Sequence, residues 1–311
     1  MPSLRDLLDR NQVVLAEGAI IERVRRNPLV PLNPFVADAT LVSDQRGRLL
    51  LTRLHREYID IARDAGLPAL VLTSTWRASR ERLERAGLPL SVNDDSAKMM
   101  NEVRNWYRGY SSSIVIGGLI GPKGDAYKPA TALPADAAYR YHKPQVEALA
   151  FSGVDFLIAS TLPALTEALG IARAMAETGM PYILSFITRP DGALLDGNLL
   201  ASAIRAVGEA ARPRPLGVML NCVHPETGRQ ALAGLAGTPD LRRQVIGLQA
   251  NASRRAPGRL DGSDETDSGD PEEFGREMAA LRRDYGLRIL GGCCGTDGRH
   301  IRAVAEALAR S

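Results

Sequence analysis

The chain has 311 residues, and 39 Lys and Arg residues against 36 Asp and Glu residues give a formal net charge of +3 at pH 7. Its 45% hydrophobic and 24% charged residues are values of a folded globular protein, which excludes disordered and fibrous proteins. The small charge, without dense runs of Lys and Arg, indicates no nucleic-acid partner.

The sequence carries no signal for a membrane or for export. No stretch of about 18 consecutive apolar residues exists, so we expect no membrane-spanning segment. The first ten residues, Met1–Arg10, are charged throughout and lack the apolar core of a signal peptide. Three cysteines, two of them adjacent, do not make a secreted disulfide scaffold. We therefore expect a cytoplasmic protein.

Short apolar runs rich in β-branched residues alternate with longer segments of helical periodicity along the chain. The predicted elements, in chain order, are strand Gln12–Ala16, helix Gly47–Ala65, strand Ala69–Leu72, helix Asn93–Tyr107, strand Ser113–Gly117, helix Asp136–Phe151, strand Val154–Ala159, helix Leu165–Glu177, strand Pro181–Ile187, helix Leu199–Ala211, strand Leu216–Leu220, helix Pro225–Ala236, strand Val245–Leu248, helix Pro271–Tyr285, strand Leu287–Leu290 and helix Gly298–Arg310.

Eight apolar strands separated by helices predict a parallel sheet covered by helices, and eight is the number that closes a (β/α)₈ barrel. We expect an α/β protein, a single-domain TIM barrel over residues 1–311. The alternative is an open doubly wound sheet, but no Gly-x-Gly-x-x-Gly follows the first strand. The polar segment Asn251–Asp270 is predicted to be a long loop, and its role as a lid or as a mobile surface segment stays open.

All three cysteines follow predicted strands. Cys222 comes after the sixth strand, and Cys293 and Cys294 come after the eighth. These positions lie at the carboxyl-terminal mouth of a barrel, where active sites are built, and only the seventh strand separates them. Three thiolates suit Zn²⁺ and leave a fourth position open, as in catalytic sites. A substrate thiol that enters this position would be held as a thiolate.

Other interpretations of these residues remain open at this point. A cysteine at a strand end is often a small buried residue, and Cys293 and Cys294 could form a strained vicinal disulfide. Flanking glycines favour a site, because they let the backbone turn tightly and approach a ligand. His224 either replaces a ligand or orients the loop after Cys222, and His300 is expected on the surface.

The cysteine segments resemble those of the homocysteine S-methyltransferase family. The resemblance rests on Gly291-Gly292-Cys293-Cys294-Gly295-Thr296 and Asn221-Cys222-x-His224-Pro225-Glu226, which are highly specific. The segments 116–122, 141–149 and 73–76 are similar to further family segments, so the resemblance covers nearly the whole chain.

This resemblance implies a zinc-dependent methyltransferase of methionine biosynthesis in which Cys222, Cys293 and Cys294 hold the metal. The acceptor thiol, most simply homocysteine, would attack the methyl group of a small onium donor. The partners would be a small-molecule thiol and a methyl donor, and nothing indicates the oligomeric state. The residues expected to contact substrate are Glu17, Ser74, Thr75, Ser160 and Asn221.

The sequence departs from the family pattern in the amino-acid pocket. Glu17 stands where the family usually has Asp, Ser74 replaces the usual Asn, and Ser160 stands where a Glu usually helps to hold the substrate's amino group. Loss of that carboxylate removes a charge-assisted hydrogen bond worth about 1.5–3 kcal/mol. Two alternatives follow: a relative that methylates another thiol or demethylates another onium compound, and a non-catalytic zinc- or ligand-binding barrel.

The donor site is not fixed by the sequence. Trp76, Trp106 and Tyr107 could cradle a cationic donor through cation–π attraction, or they belong to the core. Arg77 either meets a substrate carboxylate or is solvated. No corrinoid or folate module fits in this length, so we expect a free small-molecule donor.

Overall fold

Eight parallel strands pair in chain order, and the eighth pairs with the first to close a barrel. The computed structural model describes residues 3–10, 12–255 and 267–310. The strands are β1 (Val14–Ala16), β2 (Ala69–Leu72), β3 (Ile114–Ile120), β4 (Phe156–Leu162), β5 (Tyr182–Phe186), β6 (Gly217–Asn221), β7 (Val245–Ala250) and β8 (Ile289–Gly292). The predicted (β/α)₈ barrel is confirmed, and the open sheet is excluded.

Helices occupy the connections between the strands. The α-helices that the structure describes are α1 (Leu4–Asp9), α2 (Ile21–Arg25), α3 (Gln45–Asp64), α4 (Arg80–Arg85), α5 (Val92–Trp106), α6 (Ala135–Ala150), α7 (Leu165–Glu177), α8 (Leu200–Ala210), α9 (Pro225–Ala233), α10 (Pro239–Arg242), α11 (Pro271–Tyr285) and α12 (Gly298–Ala309). None of them is long and apolar enough to cross a membrane.

Helix α3 illustrates why these segments are helical. Its N-cap residue Asp44 accepts a hydrogen bond from the backbone N–H of Gly47 at 2.6 Å. Its buried side chains recur at helical spacing and include Leu51, Leu54 and Tyr58. The apolar face therefore packs on the barrel, while the polar face remains in water.

The barrel interior is filled by side chains that point inward from the strands, among them Val14, Leu70, Phe156 and Ile289. Gly117 makes room for one of them, because a Cβ atom there would lie 2.6 Å from the ring of Phe156. Helix α1 contributes Leu4, Leu7 and Leu8 to the same apolar cluster. This helix therefore closes the amino-terminal end of the barrel and leaves the chemistry to the carboxyl-terminal end.

Several strands continue beyond their predicted carboxyl ends. Strand β4 includes Ser160 and Thr161, and β7 reaches Ala250. The prediction ended these strands at the last apolar residue, whereas the barrel mouth buries polar side chains within the strands. Thr161, at a register shift between β4 and β5, and Cys222, directly after β6, adopt left-handed backbone conformations, with φ of 66° and 58°.

Two further predictions from the sequence concern His300 and the segment 251–270. The prediction that His300 lies on the surface is wrong: the residue is fully buried, and its Nε2 lies 2.6 Å from the carbonyl oxygen of Ser268. The reason is that α12 turns this side chain toward α11, where it packs edge-on against Phe274. Of the predicted loop at 251–270, residues 256–266 lie outside the described residues.

Candidate metal centre and adjoining cavity

The sulfur atoms of Cys222, Cys293 and Cys294 meet at the carboxyl-terminal mouth of the barrel. All three lie within 4.8 Å of one another, and the Sγ atoms of Cys222 and Cys294 are 3.7 Å apart. The three cysteines are free, so Cys293 and Cys294 do not form a vicinal disulfide. Two sulfurs bound to one tetrahedral zinc at about 2.3 Å would be separated by about 3.8 Å. The spacing therefore suits one shared zinc ion.

Glycines allow the turn that presents Cys293 and Cys294. A Cβ atom at Gly292 would lie 2.2 Å from Oγ1 of Thr296, and one at Gly291 would lie 2.7 Å from the side chain of Ala16. Gly295 has φ of 78°, which side chains rarely adopt. The closely packed turn consequently brings both thiols to the mouth.

Asn251, directly after β7, joins the two cysteine segments. Its Nδ2 donates to the carbonyl oxygen of Cys222 at 2.9 Å, and its Oδ1 accepts from the backbone N–H of Cys294 at 3.1 Å. Asn251 is fully buried. Sequence reasoning missed this residue. Its signal was its place at the end of the strand that lies between the two cysteine-bearing strands.

A second set of contacts ties the cysteine turn to the segment after β1. Glu22 in α2 accepts a hydrogen bond from the backbone N–H of Gly295. The hydroxyl of Thr296 donates to the carbonyl oxygen of Cys293 at 2.7 Å and accepts from the backbone N–H of Ala19 at 3.1 Å. These contacts fix the turn from the side opposite Asn251.

The hydrogen bonds among the three thiols shift their pKa values in opposite directions. Hydrogen bonds from Cys293 and Cys294 lower the pKa of the Cys222 thiol well below its usual value. The same hydrogen bonding with Cys222 raises the pKa of Cys293 well above its usual value and that of Cys294 to about 12. A divalent cation would stabilise the ionised form of all three thiols.

A cavity of about 450 Å³ adjoins the three sulfurs. Of the residues singled out from sequence, those that line it are Glu17, Trp76, Arg77, Ser160, Asn221, Cys222, Cys293 and Cys294. Ser74, Thr75, Trp106 and Tyr107 are not among its lining residues. The cavity thus joins the thiol cluster to part of the expected substrate pocket.

Glu17 lies at the wall of the cavity and is almost fully buried. Its Oε2 is 3.0 Å from Nδ1 of His55 and accepts a hydrogen bond from the backbone N–H of Leu72 at 3.3 Å. Within the described part of the chain, no hydrogen bond to the other carboxylate oxygen is found. This oxygen is the one that remains to meet a ligand.

Ser160 and Asn221 line the same cavity in different ways. The hydroxyl of Ser160 is buried and has no hydrogen-bond partner among the described residues. The side chain of Asn221 is already hydrogen-bonded within the protein. Its Oδ1 accepts from the backbone N–H of Thr161 at 3.0 Å and from the hydroxyl of Ser185 at 2.8 Å. Ser160 therefore has hydrogen-bonding capacity for a ligand, whereas Asn221 shapes the wall.

Ser74 and Thr75 lie behind the cavity. The backbone N–H of Ser74 donates to the hydroxyl of Ser96 at 2.9 Å, and the hydroxyl of Thr75 donates to the carbonyl oxygen of Leu119 at 2.6 Å. Both residues are buried. The structure therefore does not bring these two expected substrate contacts to the cavity.

The aromatic residues considered for a donor cradle are dispersed. Trp76 lines the cavity, but the guanidinium of Arg77 lies 4.1 Å from its ring centre. Trp106 is 57% exposed, and the guanidinium of Arg56 lies 5.4 Å from its ring centre. The hydroxyl of Tyr107 donates a hydrogen bond to the carboxylate of Asp60. The three aromatic rings do not form one cradle because α5 carries Trp106 away from the mouth.

Arg77 is not a solvated arginine of the surface. One of its nitrogens donates to the carbonyl oxygens of Pro122 and Gly124, at 2.9 and 2.6 Å. Both oxygens belong to the loop between β3 and α6. Arg77 therefore braces that loop, beside the cavity that it lines.

His224 is not part of the thiol cluster. It is the N-cap residue of α9, and its Nδ1 accepts from the backbone N–H of Glu226 at 3.2 Å. Burial lowers the pKa of His224 to about 4, so the ring is uncharged at neutral pH. Of the two interpretations of this residue, the geometry favours orientation of the loop after Cys222.

The chain is similar to known proteins over nearly its whole length. The family model described as homocysteine S-methyltransferase matches residues 14–308. Homocysteine S-methyltransferase YbgG of Bacillus subtilis (strain 168) is 24% identical, over 100% of this chain and 99% of that protein. Betaine–homocysteine S-methyltransferase 1 of Rattus norvegicus is 24% identical, over 97% of this chain and 74% of that protein.

A solved structure of another protein has a similar fold. The metallated form of the homocysteine methyltransferase MmuM from Escherichia coli superposes with a TM-score of 0.76 at 21% identity, over 99% of both chains. This likeness concerns the fold. The resemblance found in the sequence is confirmed by the family model.

Proposed function

Because this chain belongs to the homocysteine S-methyltransferase family, we propose that it is a zinc-dependent enzyme that transfers a methyl group from a small onium donor to a thiolate, most simply homocysteine, giving methionine. The observation that carries the proposal is the convergence of three cysteine sulfurs at the edge of a 450 Å³ cavity. The names of the relatives support the reaction type.

Cys222, Cys293 and Cys294 would hold the zinc. Three sulfur donors suit this borderline-soft ion and are poor ligands for Mg²⁺ or Ca²⁺. When bound, the ion keeps an acceptor thiol ionised at neutral pH. Asn251 holds the two cysteine segments together, and Thr296 ties the Cys293–Cys294 turn to the segment after β1, so the ligand set is preorganised.

Glu17 would hold the ammonium group of the acceptor. His55 and Leu72 fix one of its oxygens, and the second is left for the substrate. The Ser160 hydroxyl, which lacks a partner among the described residues, would accept one further N–H from the same group. This neutral contact replaces the carboxylate that the family usually has, so we expect weaker binding of homocysteine.

The transfer balances without a further reactant. A bond forms between the acceptor sulfur and the methyl carbon while the bond from that carbon to the onium atom breaks. The donor leaves as a neutral group, and the proton of the acceptor thiol is released when that thiol is ionised. The reaction requires the acceptor sulfur to attack in line with the breaking bond, so the cavity must hold donor and acceptor in that orientation.

A second candidate acceptor is favoured by one observation. Ser160 stands at the position where the family usually has a carboxylate, so this part of the pocket carries less negative charge to meet an α-ammonium group. The alternative acceptor is therefore a thiol without this group. The enzyme would methylate that thiol, or would demethylate another onium compound toward it.

We further propose that residues 1–311 form one barrel domain, that the enzyme acts in the cytoplasm, and that its partners are small molecules rather than nucleic acid or membrane.

The decisive experiment is an assay of the zinc-loaded protein with homocysteine and, separately, betaine or S-methylmethionine. Methionine formed well above background supports the proposal, with Cys222→Ser as the inactive control. Methylation of 3-mercaptopropionate but not of homocysteine would favour the alternative acceptor. A zinc-loaded protein without turnover on any pair would favour a binding barrel.

A further inference from the structure

Tyr127 reaches the thiol cluster from a part of the chain that the cysteine pattern does not include. It lies in the loop between β3 and α6 and lines the cavity. Its hydroxyl oxygen is 3.1 Å from Sγ of Cys222.

The loop holds Tyr127 firmly in place. The carboxylate of Asp125 accepts a hydrogen bond from the backbone N–H of Tyr127 at 2.9 Å. Glu167, fully buried, accepts from the backbone N–H of Lys123 at 2.8 Å, and Arg82 donates to the carbonyl oxygen of Lys123 at 2.8 Å. With the brace from Arg77, these contacts leave the hydroxyl little freedom to move away from the sulfur.

We propose that Tyr127 is a positioning residue whose hydroxyl donates a hydrogen bond to the sulfur of Cys222 when the metal is bound. The inference rests on the proposed zinc centre. A cysteine that ligates a metal is deprotonated and can only accept a hydrogen bond, so the Tyr127 hydroxyl must be the donor. Charge-assisted hydrogen bonds of this kind are stronger than neutral ones.

The net charge of the metal centre explains why a hydrogen bond from Tyr127 to Cys222 would stabilise it. One divalent cation with three thiolates has a net charge of 2 − 3 = −1, and an incoming fourth thiolate makes it −2. A donor to one sulfur offsets part of this excess, so it favours both the ligand set and the arrival of a second anion. Removing the hydroxyl should therefore weaken the binding of metal and of acceptor thiol.

Tyr127→Phe tests the inference, with Tyr141→Phe as the matched control. The Tyr141 hydroxyl lies 2.7 Å from that of Ser79, away from the cavity lining. Both variants and the unmodified protein are loaded with Co²⁺, and the sulfur-to-cobalt charge-transfer absorption is recorded with and without homocysteine. Zinc affinity is measured by competition with a chromophoric chelator, and thermal unfolding of the metal-free chains checks the fold.

We expect Tyr127→Phe to shift the charge-transfer band and to bind zinc 10- to 100-fold more weakly, while Tyr141→Phe matches the unmodified protein. An unshifted band with zinc affinity within twofold would overturn the inference and leave the proposed function intact. Failure of the unmodified protein to bind Zn²⁺ or Co²⁺ through sulfur would overturn both.

Discussion

Asn251 donates a hydrogen bond from Nδ2 to the carbonyl oxygen of Cys222 at 2.9 Å, although 29 positions separate the two residues in the chain. The same side chain accepts from the backbone N–H of Cys294. One buried amide thus sets the distance between a cysteine that follows β6 and one that follows β8.

Replacement of Asn251 by Ala should disturb both stability and metal binding. The change leaves two backbone groups near the thiols without partners, at about 1–3 kcal/mol each in the free energy of unfolding. Chemical denaturation of the metal-free protein measures this loss, and zinc competition measures affinity. Asn198→Ala is the control, because Asn198 is exposed and bonds only within its own turn. Equal zinc affinity in both variants would contradict a bridging role for Asn251.

Removal of the metal should abolish turnover reversibly. The three ligands are sulfur atoms, so we expect a chelator to release the zinc and Zn²⁺ to restore activity, while Mg²⁺ does not. Metal content and methionine formation are followed in the same samples. Full activity in a preparation shown to contain no metal would be incompatible with the proposed mechanism.

Glu17→Gln should weaken acceptor binding more than it slows the chemical step. It removes the only charge that we assign to recognition of the ammonium group, worth about 1.5–3 kcal/mol, which corresponds to a KM for homocysteine about 10- to 150-fold higher. Steady-state kinetics separates KM from kcat. A thiol without an ammonium group should be nearly unaffected, and an equal loss with both thiols would refute this role.

Ser160→Glu is the complementary change, because it restores the carboxylate that the family usually has. If homocysteine is the natural acceptor, the second charge should lower its KM, by about tenfold for each 1.4 kcal/mol gained. Ser160→Ala serves as the control for loss of the hydroxyl. A higher KM with Ser160→Glu than with Ser160→Ala would indicate that the pocket is built for a different thiol.

Asp38 should make the fold less stable as the pH rises. Burial raises the pKa of Asp38 to about 6 from its usual 3.8, against the opposing effect of Ser74. The folded chain holds this proton more tightly than the unfolded chain. Its contribution to stability is therefore complete below about pH 4 and is lost as the pH rises through about 6. Asp38→Asn should stabilise the protein at pH 7.5 by up to about 3 kcal/mol and change little at pH 4.

Thermal and chemical unfolding at both pH values check this prediction. Asp240→Asn is the control, because Asp240 is 84% exposed in its side chain. A destabilising effect of Asp38→Asn at pH 7.5 would contradict the assignment of a buried carboxyl that resists ionisation.

The elements with clear borders were predictable from sequence. Strand Ala69–Leu72 and helices Leu165–Glu177 and Pro271–Tyr285 have the predicted bounds, because an apolar run or an amphipathic repeat ends there at a turn or cap residue. Strand ends at the mouth were not predictable, since Ser160 and Thr161 read as loop residues but lie in β4.

The site was predictable where it depends on strand register alone. Cys222 follows β6 and the Cys293–Cys294 pair follows β8, with only β7 between these strands, so their convergence is a consequence of topology. The contact of Tyr127 with Cys222 depends on the path of a loop through space, which no periodicity encodes. His300 was misjudged because its burial arises from packing between two helices.

The short helix α1 has a consequence for the stability of this protein. The helix closes the amino-terminal end of the barrel with the side chains of Leu4, Leu7 and Leu8. Burial of three such side chains contributes roughly 5–9 kcal/mol of hydrophobic stabilisation. This amount rivals the whole margin by which a typical domain remains folded. Removal of α1 would therefore expose the apolar side chains at this end of the barrel to water, and we expect it to lower the free energy of unfolding by a comparable amount.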